Sequence, residues 1–172
     1  MHTKNCAHLD FRLDQILVQL GGGEGSEPGE NTVWVTDMGL STPTPAAVGA
    51  LCDLPLHMGH PAYTAPEALK RPSLCKAPQQ VDLRKMDVYS FGACLVGSLL
   101  QFPSPGWGFR KELRYYQRQR RTDWQNNFQR LDGDGQARLK LLDIARRAMQ
   151  SDPSCRPTMA EIATELCTLR GR

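Results

Sequence analysis

The sequence predicts a mainly α-helical fold carrying a small β-hairpin, and three features predict it. Residues Met86 to Phe102 are apolar nearly all round, as a helix buried on every face must be. Two later segments, Ala137 to Gln150 and the stretch that follows Thr158, repeat their apolar residues at helical spacing. Near the start, two short apolar runs flank a Gly-rich stretch, which is the pattern of two antiparallel strands joined by a turn.

In chain order, Ile16-Leu17-Val18 reads as a strand and Val33-Trp34-Val35-Thr36 as its partner. Residues 21–30 form a Gly/Glu-rich hairpin insertion with no apolar side chain to pack, so they read as a solvated loop. A phosphate cradle is a poor reading: the G-x-G-x-x-G spacing is missing, no helix follows, and Glu24, Glu27 and Glu30 repel phosphate. Ser41 to Pro61 has no sustained period and predicts a long irregular segment. Glu67-Ala68-Leu69 starts a brief helical turn, and Arg71 to Gln80 is loop-like again. The run Pro103-Ser104-Pro105-Gly106 stops the buried helix. Leu139, Leu142, Ala145 and Met149 share one helical face, which Asp152-Pro153 terminates. The last helix opens with the capping box Thr158-Met159-Ala160-Glu161, and its stripe is Met159, Ile162, Leu166 and Leu169.

The chain has 172 residues, enough for one domain with a real core and too few for two catalytic domains. With 23% charged residues, 15 Gly and 12 Pro, it is not a disordered or collagen-like chain. A net charge of +3 is too weak to argue for nucleic acid. Six cysteines without a C-x-x-C pair read as reduced thiols of an intracellular, cytoplasmic protein. The N-terminus has no apolar signal region, and no apolar run is long enough to span a bilayer, so neither secretion nor membrane insertion is expected.

Chemistry-bearing residues fall in five ordered clusters: His8-Leu9-Asp10-Phe11-Arg12-Leu13-Asp14-Gln15; Asp37-Met38-Gly39; Ala65-Pro66-Glu67; Asp87-Val88-Tyr89-Ser90-Phe91-Gly92; and Asp152-Pro153-Ser154-Cys155-Arg156-Pro157. Together they resemble the C-terminal lobe of the eukaryotic protein kinase family, from His8 to about Leu169. The first is similar to H-R-D-L-K-P-x-N, the second to D-F-G, and the third is an intact A-P-E. A cation two residues after the first Asp, Arg12, is the Ser/Thr-type pattern.

The resemblance implies a protein kinase-like C-lobe, with residues 1–172 a partial kinase domain and residues 37–67 an activation-segment-like region. It implies ATP and Mg²⁺ as cofactors and a protein substrate or protein partner; the weak charge and short apolar runs argue for no nucleic acid and no membrane. Asp10 would receive or orient the substrate hydroxyl proton, and Arg12 would sit by the γ-phosphate. Asp37 would bind Mg²⁺, joined by Gln15 at the family's Asn position. Glu67 and Arg156 would form a buried architectural ion pair, and Asp87 would open the buried helix. This sequence departs from the family in Leu9 for Arg, Arg12 for Lys, Gln15 for Asn and Met38 for Phe. No stretch resembles the Gly-rich loop, the strand Lys or its Glu partner, so the N-terminal lobe is expected to be absent from these residues. The reading is ATP-dependent phosphorylation of protein Ser/Thr, impaired in this chain; the alternative is a pseudokinase fragment that acts as a protein-binding module.

Other signals have plainer readings. Cys52, His57 and His60 lack a fourth zinc ligand at standard spacing. Asp132-Gly133-Asp134-Gly135 hints at a calcium loop, yet Ala137 holds the required Gly position and Asp143 the final Glu position. The basic, Tyr-containing stretch Arg110 to Arg121 reads as a solvated helix face.

Overall fold

The structure, a computed structural model, describes residues 1–21, 31–47, 49–54, 59–69, 80–99 and 135–170. The basic stretch Arg110 to Arg121, His57, and nearly all of the 21–30 insertion lie outside the described residues. The strands among the described residues are short: β1 Cys6–Ala7, β2 Ile16–Gln19, β3 Thr32–Val35, β4 Thr42–Pro43, β5 Cys52–Asp53 and β6 Gln80–Val81. Among the described residues the α-helices are, in order, α1 Pro66–Leu69, α2 Leu83–Leu99, α3 Gly135–Ala148 and α4 Met159–Arg170.

The expected hairpin is present: β2 and β3 are antiparallel with Leu17 opposite Trp34 and Val18 opposite Val33. Among the described residues it is accompanied by two more two-stranded sheets, where a single hairpin was expected, since β1 pairs with β4 and β5 with β6. The segment Ser41 to Pro61 is therefore not wholly irregular. Each of its strands is two residues long and pairs with a distant partner, so neither leaves a period-2 signature. Leu17, Val18, Val33 and Trp34 are all exposed, so both faces of the hairpin present apolar side chains to solvent.

Helix α2 is the central rod. It starts at Leu83, three residues before the expected Met86, because Asp82 caps it: its carboxylate accepts from the Arg84 N–H at 3.0 Å and the Lys85 N–H at 3.3 Å. The expected end at Phe102 falls outside the described residues. Met86, Val88, Tyr89, Ala93, Cys94 and Val96 are buried on all sides of α2, so the core wraps around it. One cluster joins α2 to Leu142, Ala145 and Met149 of the α3 end, and a second joins Val88 to Ile144, Ala148 and Ile162. Gly92 lets α2 and α3 approach closely, since a Cβ there would lie 2.8 Å from both Ala148 Cβ and Met149 Cγ.

Helix α3 begins at Gly135, earlier than Ala137, and ends at Ala148. Ala137 and Asp143 lie within this one helix, which rules out a calcium loop through them. Helix α4 has the expected box: Thr158 N–H donates to Glu161 Oε2 at 2.6 Å, and Glu161 N–H donates to Thr158 Oγ1 at 3.2 Å. Ile162 of its stripe is buried, with Met159, Leu166 and Leu169 packed around it. None of the helices described is long and apolar enough to cross a membrane.

Candidate functional site

The loop between β1 and β2 carries Asp10, and its course is set by a carboxylate from the central rod. Asp87 on α2 accepts from the His8 N–H at 2.7 Å and the Leu9 N–H at 2.8 Å. His2 adds a third contact at 2.9 Å. Leu9 is buried with φ at +65°, a left-handed backbone that costs a branched residue roughly 1–3 kcal/mol. The two hydrogen bonds to Asp87 hold it there, and the turn swings Asp10 outward from the rod.

His8 braces the same turn from the other side. Its Nδ1 accepts the Asp10 N–H at 3.3 Å, so the ring proton sits on Nε2, which meets the Thr36 carbonyl oxygen at 3.0 Å. Thr36 in turn donates to the Gln15 carbonyl oxygen through its N–H at 2.9 Å and its hydroxyl at 3.1 Å. The Asp10 loop and the end of the hairpin are thus laced together just before Asp37. Asp37 itself takes a left-handed backbone with φ of 60°, which Asp tolerates better than most residues.

Four of the predicted residues converge here. Gln15, buried, places Nε2 3.0 Å from Asp10 Oδ2 and 3.2 Å from Asp37 Oδ2, so one amide nitrogen bridges the two carboxylates. Arg12 Nε lies 3.4 Å from Asp10 Oδ1, while its terminal nitrogen is 3.4 Å from Asp14. The remaining neighbour comes from the segment before α1: His60 N–H donates to Asp10 Oδ1 at 2.9 Å, and Gly59 N–H donates to the Leu9 carbonyl at 3.2 Å. Gly59 must be glycine, since a Cβ would stand 2.6 Å from Leu9 O and 2.7 Å from Asp10 Cα and collide with the Asp10 carboxylate.

Glu67, Asp87 and Arg156 are not part of this cluster. Arg156, with no exposed side-chain surface, forms a two-pronged pair with Glu67, each nitrogen–oxygen distance 2.7 Å. It also donates to the carbonyls of Gln150 and Lys85, both at 2.8 Å, and lies over the Tyr89 ring at 5.1 Å. On the side of the loop that carries Arg12 and Asp14, burial pushes the Tyr63 phenol and the Cys94 thiol well above their ordinary values, so both stay neutral.

Sequence reasoning gave no role at this site to His8, Thr36 or Gly59, and weighed His60 only as a zinc ligand. His8 does stand inside the first quoted motif, which was the available signal. Thr36 had none, since its role is to accept from His8 and grip Gln15 across the fold.

Among the described residues, no three His, Cys, Asp or Glu side chains cluster as a metal cage. The donors present fit a different use. Asp37 offers a carboxylate, and Gln15 Oε1 is buried with no hydrogen-bond donor among the described residues. Both are hard oxygen donors, and Mg²⁺ is commonly held by one or two such groups with phosphates completing its shell.

A family model described as protein tyrosine and serine/threonine kinase matches residues 1–166. Among curated proteins, none matches the chain.

Proposed function

The chain belongs to the protein tyrosine and serine/threonine kinase family, and from that premise we propose that it is the C-terminal lobe of a Ser/Thr-type kinase domain. Its reaction is ATP-dependent phosphorylation of a protein hydroxyl, weak in these residues alone. The observation that carries the reading is the meeting of Asp10 and Asp37 at one amide nitrogen, with Arg12 against Asp10. Phosphoryl transfer asks for that set: an anion to orient a hydroxyl, a cation near the transferring group and a hard oxygen donor for a metal.

In this reading Asp10 accepts a hydrogen bond from the substrate hydroxyl. As that oxygen attacks the γ-phosphorus and the bond to the β–γ bridging oxygen breaks, the proton passes to the Asp10 carboxylate. Arg12, already beside Asp10, offsets charge on the transferring phosphoryl group. Asp37 and Gln15 Oε1 would hold Mg²⁺, which supplies charge neutralisation between the phosphates when bound.

One observation favours a second reading, a pseudokinase lobe that binds a protein partner. Both oxygens of Asp10 already have partners: His60 N–H and Arg12 on one, Gln15 on the other. Thermal unfolding with millimolar Mg-ATP separates the two readings. At ten times its dissociation constant a ligand adds about 1.4 kcal/mol to the native state, so the enzyme reading expects a raised midpoint that Asp37→Asn abolishes. An unchanged midpoint discards it in favour of the binding module.

A further inference from the structure

Two carboxylates brought into one small site repel each other, and the common remedy is a cation. Here a neutral group stands between them. The Gln15 amide has two N–H bonds, and both find carboxylates: Asp10 Oδ2 at 3.0 Å and Asp37 Oδ2 at 3.2 Å. Its oxygen is buried and has no donor among the described residues. The other oxygen of Asp10 is engaged separately by His60 N–H at 2.9 Å, with Arg12 Nε 3.4 Å away. Oδ2 is therefore the oxygen that Gln15 controls.

An amide donates only from nitrogen and ligates a hard cation only from oxygen. The edge that now faces both acids is the nitrogen edge. A cation shared between Gln15 and Asp37 needs the oxygen on that edge, and turning the amide to present it removes both hydrogen bonds at once. We propose that Gln15 is a two-state positioning residue: nitrogen inward, it ties Asp10 to Asp37; oxygen inward, it joins Asp37 on a divalent cation and frees Asp10 Oδ2 for a hydroxyl. The first state stands on the geometry alone, and the second rests on the phosphotransfer reading. The consequence is that Asp10 is available to a substrate only after the cation has arrived.

The test is side-chain NMR of the ¹⁵N-labelled chain, with the Gln15 NH₂ pair identified by its loss in Gln15→Glu, which keeps the side chain's size. In metal-free buffer the pair should exchange with water about tenfold more slowly than that of exposed Gln19, and Asp37→Asn should weaken this protection. Adding Mg²⁺ with β,γ-methylene-ATP should remove the protection while the analogue's ³¹P signals shift. A metal-free pair that exchanges as freely as Gln19 overturns the bridge. A pair still protected while the ³¹P signals report bound analogue overturns the second state and leaves the kinase reading standing. Unmoved ³¹P signals sink nucleotide binding by this chain, and the metal-free exchange rates then decide the bridge on their own.

Discussion

Replacing Glu67 by alanine should destabilise the fold by about 3 kcal/mol. The Arg156 side chain has 0% exposure and that of Glu67 12%, and their two hydrogen bonds are both 2.7 Å long. A solvent-exposed pair of the same composition would be worth roughly 0–1 kcal/mol. Removing one partner of a buried pair typically costs about 3–5 kcal/mol, because the survivor keeps its charge without compensation. Arg156 would retain the Gln150 and Lys85 carbonyls and the Tyr89 ring, which places the loss at the low end of that range. The assay is urea unfolding: with a slope of about 2 kcal/mol per molar, the midpoint should fall by ~1.5 M. Arg156→Met on top of Glu67→Ala should recover much of that loss, since it removes the stranded charge. A midpoint shift below ~0.3 M at unchanged slope would refute the reasoning, for it would mean that water reaches this pair.

Further outcomes follow from the same geometry. Gly92→Ala should cost about 1–3 kcal/mol in thermal or urea unfolding, because its Cβ meets Ala148 and Met149 at 2.8 Å across the α2–α3 contact. Asp87→Asn leaves one acceptor for two buried N–H groups and should cost about 2 kcal/mol, with exchange protection lost first at the His8 and Leu9 amides. Acid should weaken the fold as pH falls below 4.5, the ordinary value for Glu161. The Thr158 backbone N–H, then its hydroxyl, holds the folded carboxyl below that value. Such a group contributes fully above its unfolded value and loses that contribution as pH falls through its folded one. Glu165, lowered by Arg147, has the same sign. Unfolding midpoints recorded against pH should therefore decline less steeply in Glu161→Gln than in the parent chain.

What could be read from the residues alone follows from the range of the forces involved. The helices were legible because α2 is apolar on every face and α3 and α4 carry a stripe, both local properties of sequence. The α2 start was missed since Asp82 marks it by a side-chain cap rather than by periodicity. The bridges at Thr42–Pro43 and Cys52–Asp53 were invisible because their partners, Cys6–Ala7 and Gln80–Val81, lie dozens of residues away. At the site, the motifs pointed to Asp10, Arg12, Gln15 and Asp37. They could not tell which end of the Gln15 amide turns inward, or that a backbone N–H from His60 reaches Asp10, because both depend on tertiary contact.

A two-stranded ribbon is marginal by itself in water, and here it is the tether for Asp37, two residues past β3. With Leu17 and Trp34 wet on one side and Val18 and Val33 wet on the other, none of these four apolar side chains glues the tether down. Whatever comes to cover those four side chains will stiffen the acid's mounting, so a purely apolar contact can act as a tuning screw for the carboxylate at the ribbon's open end. Left bare, its edges, unpaired among the described residues, also give the ribbon a surface on which another strand could pair.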